Sequence, residues 1–154
     1  NDESYKFYMP LSDKKHLDLI KEPLEDLVKV SFNNSQEVLS KCEIGIITSG
    51  TATLEASLLR TPCVTLYKTG WLSYRLIKPL LQIDHFSLPN LLAGKELLPE
   101  LLQDEVNVKN IINAIEKISL KGLDYYYKEF HAIHENLKAG SSETAAKEIS
   151  HLID

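Results

Sequence analysis

Hydrophobic positions along the chain come in short bursts, and their spacing switches between the helical and the extended period. YKFYMP, Tyr5 to Pro10, reads as a short strand that stops at the proline. SDKKHLDLIKE follows, with Ser12 as N-cap and Leu17, Ile20 and Leu24 on one helical face. LVKVSF, Leu27 to Phe32, alternates and is rich in valine, which predicts a second strand. NSQEVLSKC opens on Asn34 with Glu37 three residues on, a capping-box-like helix start. IGIIT, Ile44 to Thr48, is an apolar, β-branched run of the kind buried on both faces of a sheet. TATLEASLLR is helical, and CVTLY, Cys63 to Tyr67, is another buried strand.

Strand and helix therefore alternate through Tyr67, with short connections. That order predicts an α/β fold made of right-handed βαβ units around a parallel sheet. From Trp71 the pattern changes. WLSYRLIKPLLQ is an amphipathic helix with Pro79 near its end, and HFSLPNLLAGKELLPELLQDE is irregular, punctuated by Pro89, Gly94 and Pro99. VNVKNIINAIEKISL is a helix capped by Asn107, with Val108, Ile111, Ile112, Ile115 and Ile118 on one face. Helices through DYYYKEFHAIHENLK and SSETAAKEISHLI complete a helical C-terminal segment. Ala145, Ile149 and Leu152 share a face of the last one.

A length of 154 residues is enough for one domain with a real core. A net charge of -5 argues against a general nucleic-acid surface, which would be basic. Cys42 and Cys63 form no CxxC pair and read as reduced, part-buried thiols. No apolar run is long enough to span a membrane. The N-terminal NDESYKFYMP lacks the features of a signal peptide and has no initiator Met, so it reads as a cut inside a longer chain.

The candidate chemistry lies in ITSGTATLEASL, Ile47 to Leu58, where a small, hydroxyl-rich turn joins a strand to a helix. In an open parallel sheet, ligands bind outside the carboxyl ends of the strands. A helix N-terminus there offers unpaired N–H groups and the positive end of the dipole. Gly50 lets an anion approach the backbone, and Ser49, Thr51 and Thr53 add hydroxyls, an arrangement suited to phosphate. A plain N-cap would use the same residues, and the turn is neither GxGxxG nor a P-loop. Glu55 has two readings: a carboxylate accepting both hydroxyls of a ribose, or a solvated first-turn acid. The spacing leaves both open.

The residues SGTATLEASLLRTPCVTLYKTGWLSYRLIK, followed by SLPNLLAGKELLPELLQDE, resemble the C-terminal part of lipid-A-disaccharide synthases. The likeness runs from about Glu43 to Glu105 and continues more weakly through GSSETAAKEI. Its paired motifs, SGT-x-T-x-E and SLPNLLAG, lie about thirty residues apart. The resemblance implies an inverting glycosyltransferase of GT-B architecture, in which two Rossmann-like domains face a cleft. Such an enzyme transfers diacylglucosamine from UDP to 2,3-diacylglucosamine 1-phosphate without a metal or other cofactor. It does so at the cytoplasmic face of the inner membrane. The chain would then be a single partial nucleotide-sugar-binding domain over 1–154.

Carried over by residue, the resemblance implies that Ser49, Gly50, Thr51 and Thr53 hold the donor diphosphate and that Glu55 binds the ribose. It places Tyr67 and Lys68 at the cleft near the donor. Ser87, Pro89 and Asn90 would form the facing wall, with the Asn90 amide near the diphosphate or sugar. Departure of UDP puts negative charge on the diphosphate, and helix N–H groups, hydroxyls and a cation such as Lys68 would stabilise it. Gly94, Glu96, Glu100 and Gln103 also match, without an expected ligand contact. The family's Gly-Ser-Arg-x-x-Glu motif, expected before Tyr5, is absent. So are the first βα unit and the N-terminal domain expected to carry the general base and acceptor site. The isolated chain is therefore expected to be inactive.

Other constellations are weaker. His131 and His134 with Glu129 and Glu135 lack the HExxH order and read as a solvated helix face. Asp84-His85 reads as loop, and the three consecutive tyrosines at Tyr125 splay over different faces and read as packing. Trp71, Leu72, Tyr74, Leu76 and Ile77 form an apolar helix that core or dimer packing explains. Peripheral lipid contact through Lys68, Arg75 and Lys78 is the alternative. A homodimer with swapped C-terminal elements is one way to cover the last helix. Two competing functional readings remain: a non-enzymatic nucleotide- or protein-binding fragment, and another GT-B sugar transferase, against which SLPNLLAG tells.

Overall fold

β4, Cys63–Tyr67, is the strand around which the larger part of the chain is built. In the computed structural model, which describes residues 5–21, 28–48, 50–69, 85–138 and 149–150, β4 lies between β3, Gly45–Thr48, and β5, Glu100–Leu102. All three strands run parallel, with Thr48 opposite Leu66 and Tyr67 opposite Leu102. Cys63, Val64 and Thr65 are fully buried, as a strand paired on both sides requires. β3 departs from the expectation of burial on both faces. Gly45 is buried, but Ile46 is 50% exposed and Thr48, on the same face, is exposed too; no described residue covers that face.

The crossover from β3 to β4 is α2, Thr51–Leu58, whose buried residues Thr53, Ala56 and Ser57 are all small. That lets the helix backbone come close to β3 and to the helices at Leu88–Ala93 and Leu123–Lys138, which it packs against. Its end is set by hydrogen bonds. Arg60 takes the left-handed conformation at φ 64, donating to Ser57 O at 3.1 Å while Thr61 N donates to Ala56 O at 2.8 Å. This is a Schellman cap, with Pro62 stopping any continuation.

The segment from His85 to Glu105 is more regular than its proline and glycine content predicts. It holds α3, Leu88–Ala93, then β5, then a 3-10 turn at Gln103–Glu105. Gly94 ends α3 in the left-handed region at φ 63. α4, Val108–Lys121, begins where expected: Asn107 accepts from Asn110 N at 3.0 Å. Its buried face is centred on Ala114 and Ile118. Val108 (73% exposed) and Ile112 lie outside it, so the apolar stripe is rotated from the expected one. α5, Leu123–Lys138, buries Tyr126, Phe130 and Ile133 at helical spacing. Of the three tyrosines only Tyr126 is buried, and burial pushes its pKa up to about 12.

Residues 1–42 form a second compact unit, separate from 43–154. There β1, Phe7–Leu11, pairs in parallel with β2, Val28–Phe32. β1 runs one residue past Pro10, which an edge strand tolerates. The helix expected after it is a 3-10 helix, Lys14–Leu19, that buries no residue. Its cap is Asp13, which accepts from Lys15 N at 2.9 Å, while the expected cap Ser12 lies 3.3 Å from His16 Nδ1. α1, Ser35–Lys41, starts after Asn34, whose side chain makes no capping bond. Glu37 pairs instead with Lys41 at 2.6 Å, which holds its carboxyl below the usual range. Leu24, the expected helix at Trp71 to Gln82, and all of the last helix but Ile149 and Ser150 lie outside the described residues.

Both cysteines are free thiols. Cys63 is fully buried, and burial pushes its thiol up to about 12. Two outcomes follow. Asn107→Ala should lower stability by about 1 kcal/mol in urea titration, whereas Asn34→Ala should cost less for lack of a capping bond. In the native protein at neutral pH, iodoacetamide should label Cys42 and leave Cys63 unmodified by mass spectrometry. Because folding raises the Cys63 pKa, the stability linked to that proton is complete below the thiol's unfolded value. It drains as pH rises toward about 12.

Candidate functional site

The carboxyl ends of β3 and β4 lie side by side, and α2 begins just beyond β3. Ser49 lies outside the described residues. Gly50 caps α2 at φ 143 and ψ -164, a conformation that side chains rarely adopt, and among the described residues nothing beyond its chain neighbours stands within 4 Å of where a Cβ would be. The backbone there is open to an approaching group. Thr51, next to it, is exposed. Thr53 is fully buried, and its hydroxyl donates to Gly50 O at 2.8 Å. It shapes the turn from below. Glu55 is half-buried, one turn into the helix.

At the end of β4, Tyr67 stacks on Phe86, with ring centroids 6.0 Å apart and planes 21° apart. Lys68 beyond it is exposed. Phe86 leads into Ser87, the N-cap of α3. Ser87 is fully buried and its hydroxyl has no hydrogen-bond partner among the described residues. Pro89 occupies the first turn of α3 and is buried as well.

Asn90 is fully buried, and both ends of its amide are engaged within the chain. Its Nδ2 donates to Leu98 O at 2.8 Å and to Glu100 Oε1 at 2.9 Å. Its Oδ1 accepts from Leu97 N at 3.0 Å and from Leu98 N at 2.8 Å. Glu100 in turn accepts from Phe86 N, at 3.1 and 2.9 Å to its two oxygens, and from Ser87 N at 2.7 Å. The resemblance implies a ligand contact for the Asn90 amide; the geometry gives it a structural one. The resemblance gives Glu100 no ligand contact. Its signal was available: one carboxylate between Leu97-Leu98 and Leu101-Leu102, in a segment too apolar for a solvated acid.

A separate open groove of about 500 Å³ runs between this segment and α4, lined by Glu96, Pro99, Glu105, Asn113 and Lys117 among others. None of the residues implied to bind the donor lines it. No group of metal-binding side chains occurs among the described residues.

The family model described as lipid-A-disaccharide synthetase matches residues 2–152. The chain belongs to that family. A lipid-A-disaccharide synthase from Idiomarina loihiensis is 38% identical over 119 residues, which is 77% of this chain and 31% of the relative. One from Alteromonas mediterranea is 32% identical over 152 residues, 94% of this chain and 40% of the relative. A Pseudomonas aeruginosa synthase is 38% identical over 120 residues, 78% of this chain and 32% of the relative. The chain thus spans about a third of the length of these synthases.

Within this family member, the buried amide at Asn90 makes four hydrogen bonds. Asn90→Ala would leave two N–H groups and a carbonyl without partners in the core. It should cost about 3 kcal/mol or more, read as a fall in the urea midpoint with the slope unchanged. Lys95→Ala removes only a surface pair with Glu129, made at 2.9 Å, and should cost less than about 1 kcal/mol.

Proposed function

We propose that the chain carries the donor-binding part of a lipid A glycosyltransferase, holding UDP-diacylglucosamine at the carboxyl ends of β3 and β4. The observation that carries this reading is the open backbone of Gly50 at the start of α2, beside the strand ends, in a member of this family. The N–H groups of that first turn and the Thr51 hydroxyl hold the donor diphosphate, a role the resemblance gives Ser49 as well. Thr53 supports the turn through Gly50. Glu55 accepts the ribose hydroxyls, and Lys68 supplies a cation. Tyr67, Ser87 and Pro89 form the facing wall, and Asn90 builds that wall from behind.

On this reading residues 1–154 act as one partial nucleotide-sugar-binding domain. The acceptor, an acylated glucosamine 1-phosphate, attacks the anomeric carbon with its hydroxyl oxygen as the bond to UDP breaks. The anomeric centre inverts, and the diphosphate takes the negative charge that the turn is built to hold. The proton of the attacking hydroxyl passes to a base for which we assign no residue in this chain. Transfer occurs at the cytoplasmic face of the inner membrane through peripheral contact. Among the described residues no helix is long and apolar enough to cross a membrane. Because the chain spans about a third of its relatives' length, a binding-only role for the chain by itself is the second reading.

Calorimetric titration with UDP tests both. Saturable binding, weakened about tenfold by Glu55→Ala as the loss of a charged hydrogen bond requires, supports the donor site. In the full-length protein the same change should raise KM for the UDP-sugar more than it lowers kcat. UDP binding by the full-length protein that ignores Glu55→Ala would remove the ribose assignment. Turnover of both acylated sugars by residues 1–154 alone would overturn the binding-only reading.

A further inference from the structure

Glu100 reaches across from β5 to the loop that opens α3, and no ligand role has been implied for it. Its residue pairs with Thr65 of β4, two positions before Tyr67. From that fixed base the carboxylate collects three donors on the far side of the loop: Phe86 N, Ser87 N and Asn90 Nδ2. A carboxylate can accept all of them, because it offers about four lone-pair sites and carries no hydrogen. Phe86 N and Ser87 N lie at the start of α3, where helix donors have no intrahelical acceptor. The same contacts hold the Phe86 ring on Tyr67.

We propose that Glu100 is a positioning residue for the nucleotide-sugar donor, fixing residues 86–90 as the wall that faces the start of α2. This inference rests on the donor-site reading above. A glutamine has nearly the same shape, but one of its two terminal atoms is an NH2 that meets donors instead of accepting from them. With its oxygen at the Oε1 position it still accepts from Ser87 N and Asn90 Nδ2, but its NH2 then meets Phe86 N where Oε2 accepts at 2.9 Å, so that bond and the negative charge behind the others are lost. The strand itself keeps its backbone pairing with β4.

The test compares Glu100→Gln with wild type in the full-length protein, with Glu116→Gln on the exposed side of α4 as control. Wild type should bind UDP saturably. Glu100→Gln should weaken UDP binding and raise KM about tenfold, the change that one lost charge-assisted hydrogen bond accounts for, with kcat altered far less. Amide exchange at Phe86 and Ser87 should speed up by about the same factor, and Glu116→Gln should leave all three readouts at wild-type values. Should Glu100→Gln fail to fold, Glu100→Asp withdraws the carboxylate by one carbon–carbon bond and carries the same comparison. Unchanged UDP binding in the variant, or loop amides that stay protected, would overturn the positioning role and leave the donor site standing. Absence of UDP binding by wild type would overturn the donor-site reading, and the positioning role with it.

Discussion

Asn90 and Glu100 solve a problem of unpaired backbone groups that no regular element around them solves. Between α3 and β5 the chain passes through the interior, where an N–H or C=O without a partner costs as much as a lost hydrogen bond. Leu97 and Leu98 are buried and belong to neither helix nor strand. The amide of Asn90 stands in for the missing ladder, accepting from both residues and donating to one. Glu100 does the same for the entrance to α3. The position of α3, of Phe86 on Tyr67, and of the start of β5 all follow from these two side chains being satisfied.

The proposed donor site divides labour in a way this constraint explains. The residues that would touch a nucleotide are exposed or half-buried: Gly50, Thr51, Glu55, Tyr67 and Lys68. Those behind them are buried and bonded inward, with Thr53 to Gly50 and Asn90 to the β5 approach. A polar side chain in a family motif is therefore a poor guide to contact on its own. Half of such a motif can serve to hold the other half still.

Much of the fold was legible because it rests on local pattern. β4 was readable to its end residues, and α4 to its cap, since a β-branched run and an Asn before a periodic stretch each report one element's own chemistry. The segment after His85 was not legible. Its order comes from side-chain bonds spanning seven to fourteen residues, which leave no period in the sequence. The rotated face of α4 was missed because alanine at position 114 is weakly hydrophobic yet sits where a helix backbone must come close. That a turn joins β3 to α2 at Gly50 was legible through residue type and placement after a strand. Which of its hydroxyls faces inward was not, because Thr51 and Thr53 look alike in sequence and differ only in burial.

β3 carries a consequence beyond binding. Among the described residues it is paired along one side only, and its outward Ile46 is half exposed. An unpaired strand offers a row of N–H and C=O groups to any other extended segment, and an apolar side chain there strengthens the match. In a concentrated preparation of residues 1–154 this strand is one place where intermolecular pairing would begin. A lysine in place of Ile46 would act as a gatekeeper against it.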